Sequence, residues 1–132
     1  MAEDRLFQLT LSQARKLSDN GKLLDAYDIV INLAESFGEN DELRLLRETL
    51  RGALHRQLAR RFGDRSMRLQ QLVSASELRN KRLRARDALL FEKVDGASSI
   101  DDILAVSPLD ELDTFAALAR LIDQRLVAPP RN

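Results

Sequence analysis

"LSQARKLSDNGKLLDAYDIVINLAESFG", residues 11–38, decides the fold, because a helical pattern runs into Asn20-Gly21, stops there, and starts again. Apolar residues at Leu6, Leu9, Leu11, Ala14 and Leu17 fall near the three-and-four spacing of one helical face. Asparagine and glycine both tolerate the left-handed conformation that ends a helix, so Asn20-Gly21 is read as a C-terminal cap. The second helix carries Leu23, Ala26, Ile29 or Val30, Leu33 and Phe37 on its apolar side and ends at Gly38. A connection of so few residues forces the two helices antiparallel.

The pattern continues outward from this hairpin. "ENDEL" offers Asn40 or Asp41 as an N-cap, and a third helix is predicted from Asp41 to Phe62, closed by Gly63. Its buried side is Leu43, Leu46, Leu50, Ala53 or Leu54, and Leu58. Residues 64–83 break the regularity. "MRLQQLV" (67–73) reads as a short strand or as coil, "SASEL" (74–78) as a serine-capped turn, and Leu69, Leu72, Val73, Leu78 and Leu83 call for burial. A helix from Arg84 to Val94 follows, stopped by Asp95-Gly96. "SSIDDILAVS" (98–107) is a short helix capped by Ser98 or Ser99. Ser107 as cap with Pro108 at the first position and Asp110 at the third then predicts the last helix, with Leu112, Phe115, Leu118 or Ala119, Ile122 and Leu126 on its apolar face.

The expected fold class is therefore all-α: a helical hairpin plus a third helix over 1–63, an ordered connector over 64–83, and a three-helix bundle over 84–132. The apolar exit "LVA" (126–128) is positioned to pair with "MRLQQLV" as a minimal two-strand wing.

Two resemblances sharpen this. The first hairpin resembles a tetratricopeptide repeat, with Ala14 and Ala26 at the small positions, Leu17 at the large one and Gly21 in the turn. It departs from that pattern in lacking the usual early aromatic and in carrying Gly38 where a proline often stands. The resemblance implies a protein-binding module, and fewer than three such repeats need extra cover. The segment "ARDALLFEKVDGASSIDDILAVSPLDELDTFAALARLIDQRLV" (85–127) resembles the winged-helix-like tail of PatA-N-like domains of bacterial regulators. Asp95, Gly96, Ile103, Leu104, Ser107, Leu112, Leu118, Leu121 and Leu126 carry that likeness. It implies a fold and a bacterial signalling context, and no ligand.

Composition excludes whole classes of chemistry. The 132 residues are 44% hydrophobic and 32% charged, too apolar for a disordered chain. No apolar run reaches the roughly 20 residues that span a bilayer, and the N-terminus lacks the basic-then-apolar order of a signal peptide, so a cytoplasmic location is expected. Without cysteine there is no disulfide or thiolate, and the single histidine makes no histidine-based metal site, so no metal or cofactor is expected. "NGKLLD" has Gly-Lys without the rest of a phosphate loop. No nucleophile, base and orienting group assemble, so the chain is read as a non-enzyme.

The formal charge of zero hides a block pattern. Residues 1–50 carry 6 basic and 10 acidic side chains, residues 51–90 carry 11 and 3, and residues 91–132 carry 4 and 8. On the third helix Arg44, Arg47, Arg51 and His55 share an arc of about 80°. "RNKRLRAR" (79–86) adds Arg79, Lys81, Arg82, Arg84 and Arg86. Arginine's planar fork suits carboxylates, so these nine residues are the candidate partner-binding set, facing an acidic protein surface or a second copy of the chain. The alternative is that they pair with nearby acids such as Glu42, Glu48, Asp64, Glu77 and Asp87, or are solvated.

The functional expectation is an adaptor or scaffold in a regulatory assembly. A helix-turn-helix regulator is the alternative, disfavoured because the last helix begins with Asp110, Glu111 and Asp113, which would repel a polyanion.

Overall fold

The computed structural model describes residues 2–129. Seven helices account for most of them: α1 (Ala2–Asp19), α2 (Leu23–Phe37), α3 (Asp41–Arg61), α4 (Ala75–Arg79), α5 (Ala85–Lys93), α6 (Ile100–Val106) and α7 (Glu111–Asp123). Two short strands, β1 (Gln70–Gln71) and β2 (Val127–Ala128), make one antiparallel pair. The protein is thus all-α apart from this ribbon. No described helix is long and apolar enough to cross a membrane. The chain divides between Gln57 and Leu58, near the end of α3, into two compact units.

In the first unit, the α1–α2 turn is closed by backbone bonds from Gly21 N–H to Ser18 O (3.0 Å) and Lys22 N–H to Leu17 O (2.9 Å). This paired arrangement needs a left-handed residue after the helix, and Gly21 supplies it at φ 78°. Ala14 and Ala26 are completely buried, and the absence of bulk there lets helices approach closely. The buried side of α1 differs from the one expected. Phe7, Leu11 and Ala14 are buried, whereas Leu6 and Leu9 are 57% and 62% exposed. The spacing 7, 11, 14 follows the helical repeat more closely than 6, 9, 11 does, and Phe7 has a ring partner in Phe37, with centroids 5.5 Å apart and edge-on. On α2, Ala26, Tyr27, Val30 and Leu33 are buried. Asn40 caps α3 through Oδ1, which accepts from Leu43 N–H at 2.8 Å. Leu43, Leu50 and Leu54 are the buried residues of α3 in this unit.

In the second unit, α7 is apolar nearly all round, with Leu112, Phe115 to Ala119 and Leu121 buried, which marks it as the central helix. Phe62 stacks on Phe115 at 5.3 Å and 11°, and α5 packs along α7. The connector is ordered because it hydrogen-bonds on both sides. Gln70 pairs with Ala128 and Gln71 with Val127, while Leu69 O accepts from Gly96 N–H and Met67 O from Ile100 N–H. That leaves Leu69 fully buried, while Leu72, expected inside, is largely exposed.

Two serines and one aspartate set the helix starts of the second unit. Ser74 caps α4 and Ser99 caps α6, each in a reciprocal capping box. The expected start of the last helix is corrected: Asp110, not Ser107, is the N-cap of α7, accepting from Asp113 N–H at 2.8 Å. Ser107 instead ends α6, and its hydroxyl is engaged with Thr114 Oγ1 (2.7 Å) and Leu109 N–H (3.1 Å). An aspartate at the cap adds charge to the same geometry, which favours it over serine at the positive end of the dipole.

Candidate protein-binding surface

The nine sequence-selected residues fall into two sets. Arg44, Arg47, Arg51 and His55 lie on the part of α3 that belongs to the first unit. Arg79, Lys81, Arg82, Arg84 and Arg86 lie on α4, the following loop and α5, in the second.

The α3 set is drawn into contacts within its own unit. Arg47 grips Glu39 with both terminal guanidinium nitrogens, the Nη2–Oε2 contact being 2.7 Å. The hydrogen bonding of Arg47 holds the Glu39 carboxyl below its ordinary range, and Glu39 in turn raises Arg47. Arg51 Nη1 donates to the Tyr27 hydroxyl at 2.7 Å, and Arg44 meets Asp41 at 3.2 Å. His55 is half-buried. Helical spacing put these side chains on one arc, and Tyr27 and Glu39 before α3, with Asp41 in its first turn, supply acceptors there.

The second set is different. α4 buries no residue and is held by its capping box, with Leu78 and Leu83 half-buried on either side of the loop. Backbone bonds from Lys81 N–H to Leu78 O (2.9 Å) and Leu83 N–H to Lys81 O (3.1 Å) shape that loop. Arg84 occupies the N-cap position of α5 in an extended conformation and is half-buried. Arg86 reaches Asp113 at 3.4 Å. Arg79, Lys81 and Arg82 are exposed and, among the described residues, make no ion pair or side-chain hydrogen bond. Three cations within four positions, on a folded loop, form the site's electrostatic feature.

Other arginines from the basic third of the chain are used inside the second unit. Arg61 meets Asp123 at 2.7 Å and Arg65 meets Glu111 at 2.9 Å while lying 5.5 Å over the Phe115 ring. The acidic start of α7 is therefore partly neutralised by Arg65 and Arg86, and Asp110 is spent on capping.

The sequence reading missed the pair at the centre of this unit: Arg120 Nη1 donates to Asp87 Oδ1 at 3.0 Å, with Asp87 buried. The available signal was one charge in each of two apolar segments, "DALLF" and "FAALARLI". Among the described residues no three His, Cys, Asp or Glu side chains gather as a metal site. No family model, curated protein or solved structure matches the chain.

Proposed function

We propose that this chain is a non-enzymatic adaptor of a bacterial regulatory assembly, acting in the cytoplasm, that binds acidic protein surfaces through the Arg79-Lys81-Arg82 loop and offers its α1–α2 hairpin as a second protein-binding face. The observation that carries the reading is the contrast between the two arginine sets. Those on α3 already have acceptors, whereas Arg79, Lys81 and Arg82 stand exposed with none among the described residues. A charge held on an ordered loop loses less entropy on binding than one on a floppy tail.

The tetratricopeptide-like reading of the hairpin is supported by the full burial of Ala14 and Ala26 and by the glycine turn. The winged-helix-like reading of the C-terminal part is supported by α5, α6 and α7 followed by a strand that pairs back onto the connector. The nucleic-acid alternative has weaker support, since the entry turn of α7, even with Arg65 and Arg86 partly neutralising it, still offers the carboxylates of Glu111 and Asp113 where a reading helix needs donors.

The test is affinity capture from a bacterial lysate with the intact chain and with Arg79→Glu/Lys81→Glu/Arg82→Glu, both verified as folded by circular dichroism. A partner held by the first and lost by the second supports the reading. The same partners on both would remove the loop from the mechanism, and a salt-sensitive duplex DNA complex lost in the variant would favour the alternative.

A further inference from the structure

The α1–α2 hairpin carries a face that its own unit does not cover. Leu6, Leu9 and Phe37 are exposed at its open end, and a groove of about 230 Å³ runs between Leu6 and Thr10 on α1 and Ile29, Leu33 and Phe37 on α2. The exposed charges beside this groove are sorted by helix except at the turn, where Asp19 and Lys22 are opposite in sign to Lys16 and Asp25. At about 100° per residue, Arg5 and Lys16 lie about 100° and 80° from Leu6, on the side away from buried Phe7, Leu11 and Ala14. By the same count Asp25 and Glu35 lie about 40° and 120° from Ile29, both on the outer side of α2, away from buried Ala26 and Val30. The groove thus has a basic rim from α1 and an acidic rim from α2. All four residues are exposed, and none has an ion pair among the described residues.

The rims also match in length. Arg5 and Lys16 are separated by about 16 Å of helix, and Asp25 and Glu35 by about 15 Å. The contact of Phe7 with Phe37 sets Arg5 and Glu35 at the open end, which leaves Lys16 and Asp25 at the turn end.

We infer that the occupant of this face is a second copy of the chain, docked about a two-fold axis parallel to the helices so that α1 of each copy lies over α2 of the other. Arg5 then faces Glu35 of the second copy, Lys16 faces its Asp25, and each contact occurs twice. Leu6, Leu9 and Phe37 of both copies are covered together. A two-fold axis across the helices would set α1 on α1, basic rim on basic rim, and is disfavoured for that reason. The inference rests on the protein-binding reading of the hairpin and narrows it to self-association; it does not involve the Arg79-Lys81-Arg82 loop.

Sedimentation equilibrium of the full chain tests it. The intact chain is expected to dimerise, and Leu6→Glu/Leu9→Glu to stay monomeric with unchanged helical circular dichroism. Arg5→Glu or Glu35→Arg alone is expected to raise the dimer Kd roughly tenfold, because each creates two like-charge contacts. The combined Arg5→Glu/Glu35→Arg chain, with the pair inverted, should recover most of that loss. An intact chain that is monomeric up to about 0.5 mM, or a dimer indifferent to both sets of changes, overturns the inference. A monomeric chain that captures a different protein through Leu6 and Leu9 also overturns it, while leaving the adaptor reading standing.

Discussion

Arg120 on α7 donates to Asp87 on α5 across 3.0 Å, and the Asp87 side chain is only 2% exposed. A buried charge pair of this kind contributes little net stability over an apolar pair, yet losing one member leaves the other desolvated without compensation. Asp87→Ala should therefore lower stability by about 3–5 kcal/mol. Asp87→Leu combined with Arg120→Met should recover most of it. Denaturant unfolding of the parent and these two variants decides the matter, and a single-variant loss below about 1 kcal/mol would mean that the pair is solvated.

The cap of α7 gives a second comparison. Asp110→Ala removes the acceptor of Asp113 N–H and should cost about 0.5–2 kcal/mol. Ser107→Ala should cost less, because Thr114 Oγ1 keeps its bond to Asp110 O at 2.8 Å. Thermal melts in which Ser107→Ala is the more damaging change would restore serine as the residue that starts the last helix.

Glycine substitutions should have opposite signs at two positions. Gly96 has φ 81° with open space where a Cβ would sit, so Gly96→Ala pays only for the left-handed backbone, about 1–2 kcal/mol. Gly52 lies inside α3, where a Cβ meets only Arg56 Nη1 at 3.7 Å, so Gly52→Ala should stabilise by about 0.5–1 kcal/mol. Unfolding midpoints that move in the same direction for both would contradict this.

Acid sensitivity follows from two carboxylates. Glu39 is held below its ordinary value of 4.5 chiefly by its hydrogen bonding to Arg47. Asp95 is held below 3.8 first by the Ser98 N–H, then by the Ala97 N–H and the Ser98 hydroxyl. A lowered folded-state value stabilises above the unfolded value and loses that stabilisation as pH falls through the folded one. Glu39→Gln and Asp95→Asn should thus be less stable than the parent at pH 7, with the gap closing as pH drops below about 4. Added salt should shrink the Glu39 effect, as the carboxylate and guanidinium are accessible to ions. A gap that widens toward acid would refute the assignment.

The helices were legible from the chain because their determinants are local. Asn20-Gly21, Asn40, Ser74 and Ser99 act on backbone groups within a few residues, and apolar spacing reports which side of a helix is dry. Even so, the apolar spacing points to Leu6 and Leu9 and passes over Phe7, since two neighbouring faces of α1 both carry apolar residues. Only the α2 helix, which brings Phe37 to Phe7, chose between them.

The arginines show the same division more sharply. Their number and their arc on α3 were determined by the sequence, but an ion pair depends on which acid the fold delivers. Arg61 finds Asp123 62 residues away, and Arg120 finds Asp87 33 residues away. Arg47 meets Glu39 only because the chain before α3 turns back alongside it. Sequence alone established an all-α protein with a polarised charge pattern. Tertiary structure decided which cations are already satisfied and left Arg79, Lys81 and Arg82 exposed, because long-range pairing is set by how helices pack and not by spacing along one of them.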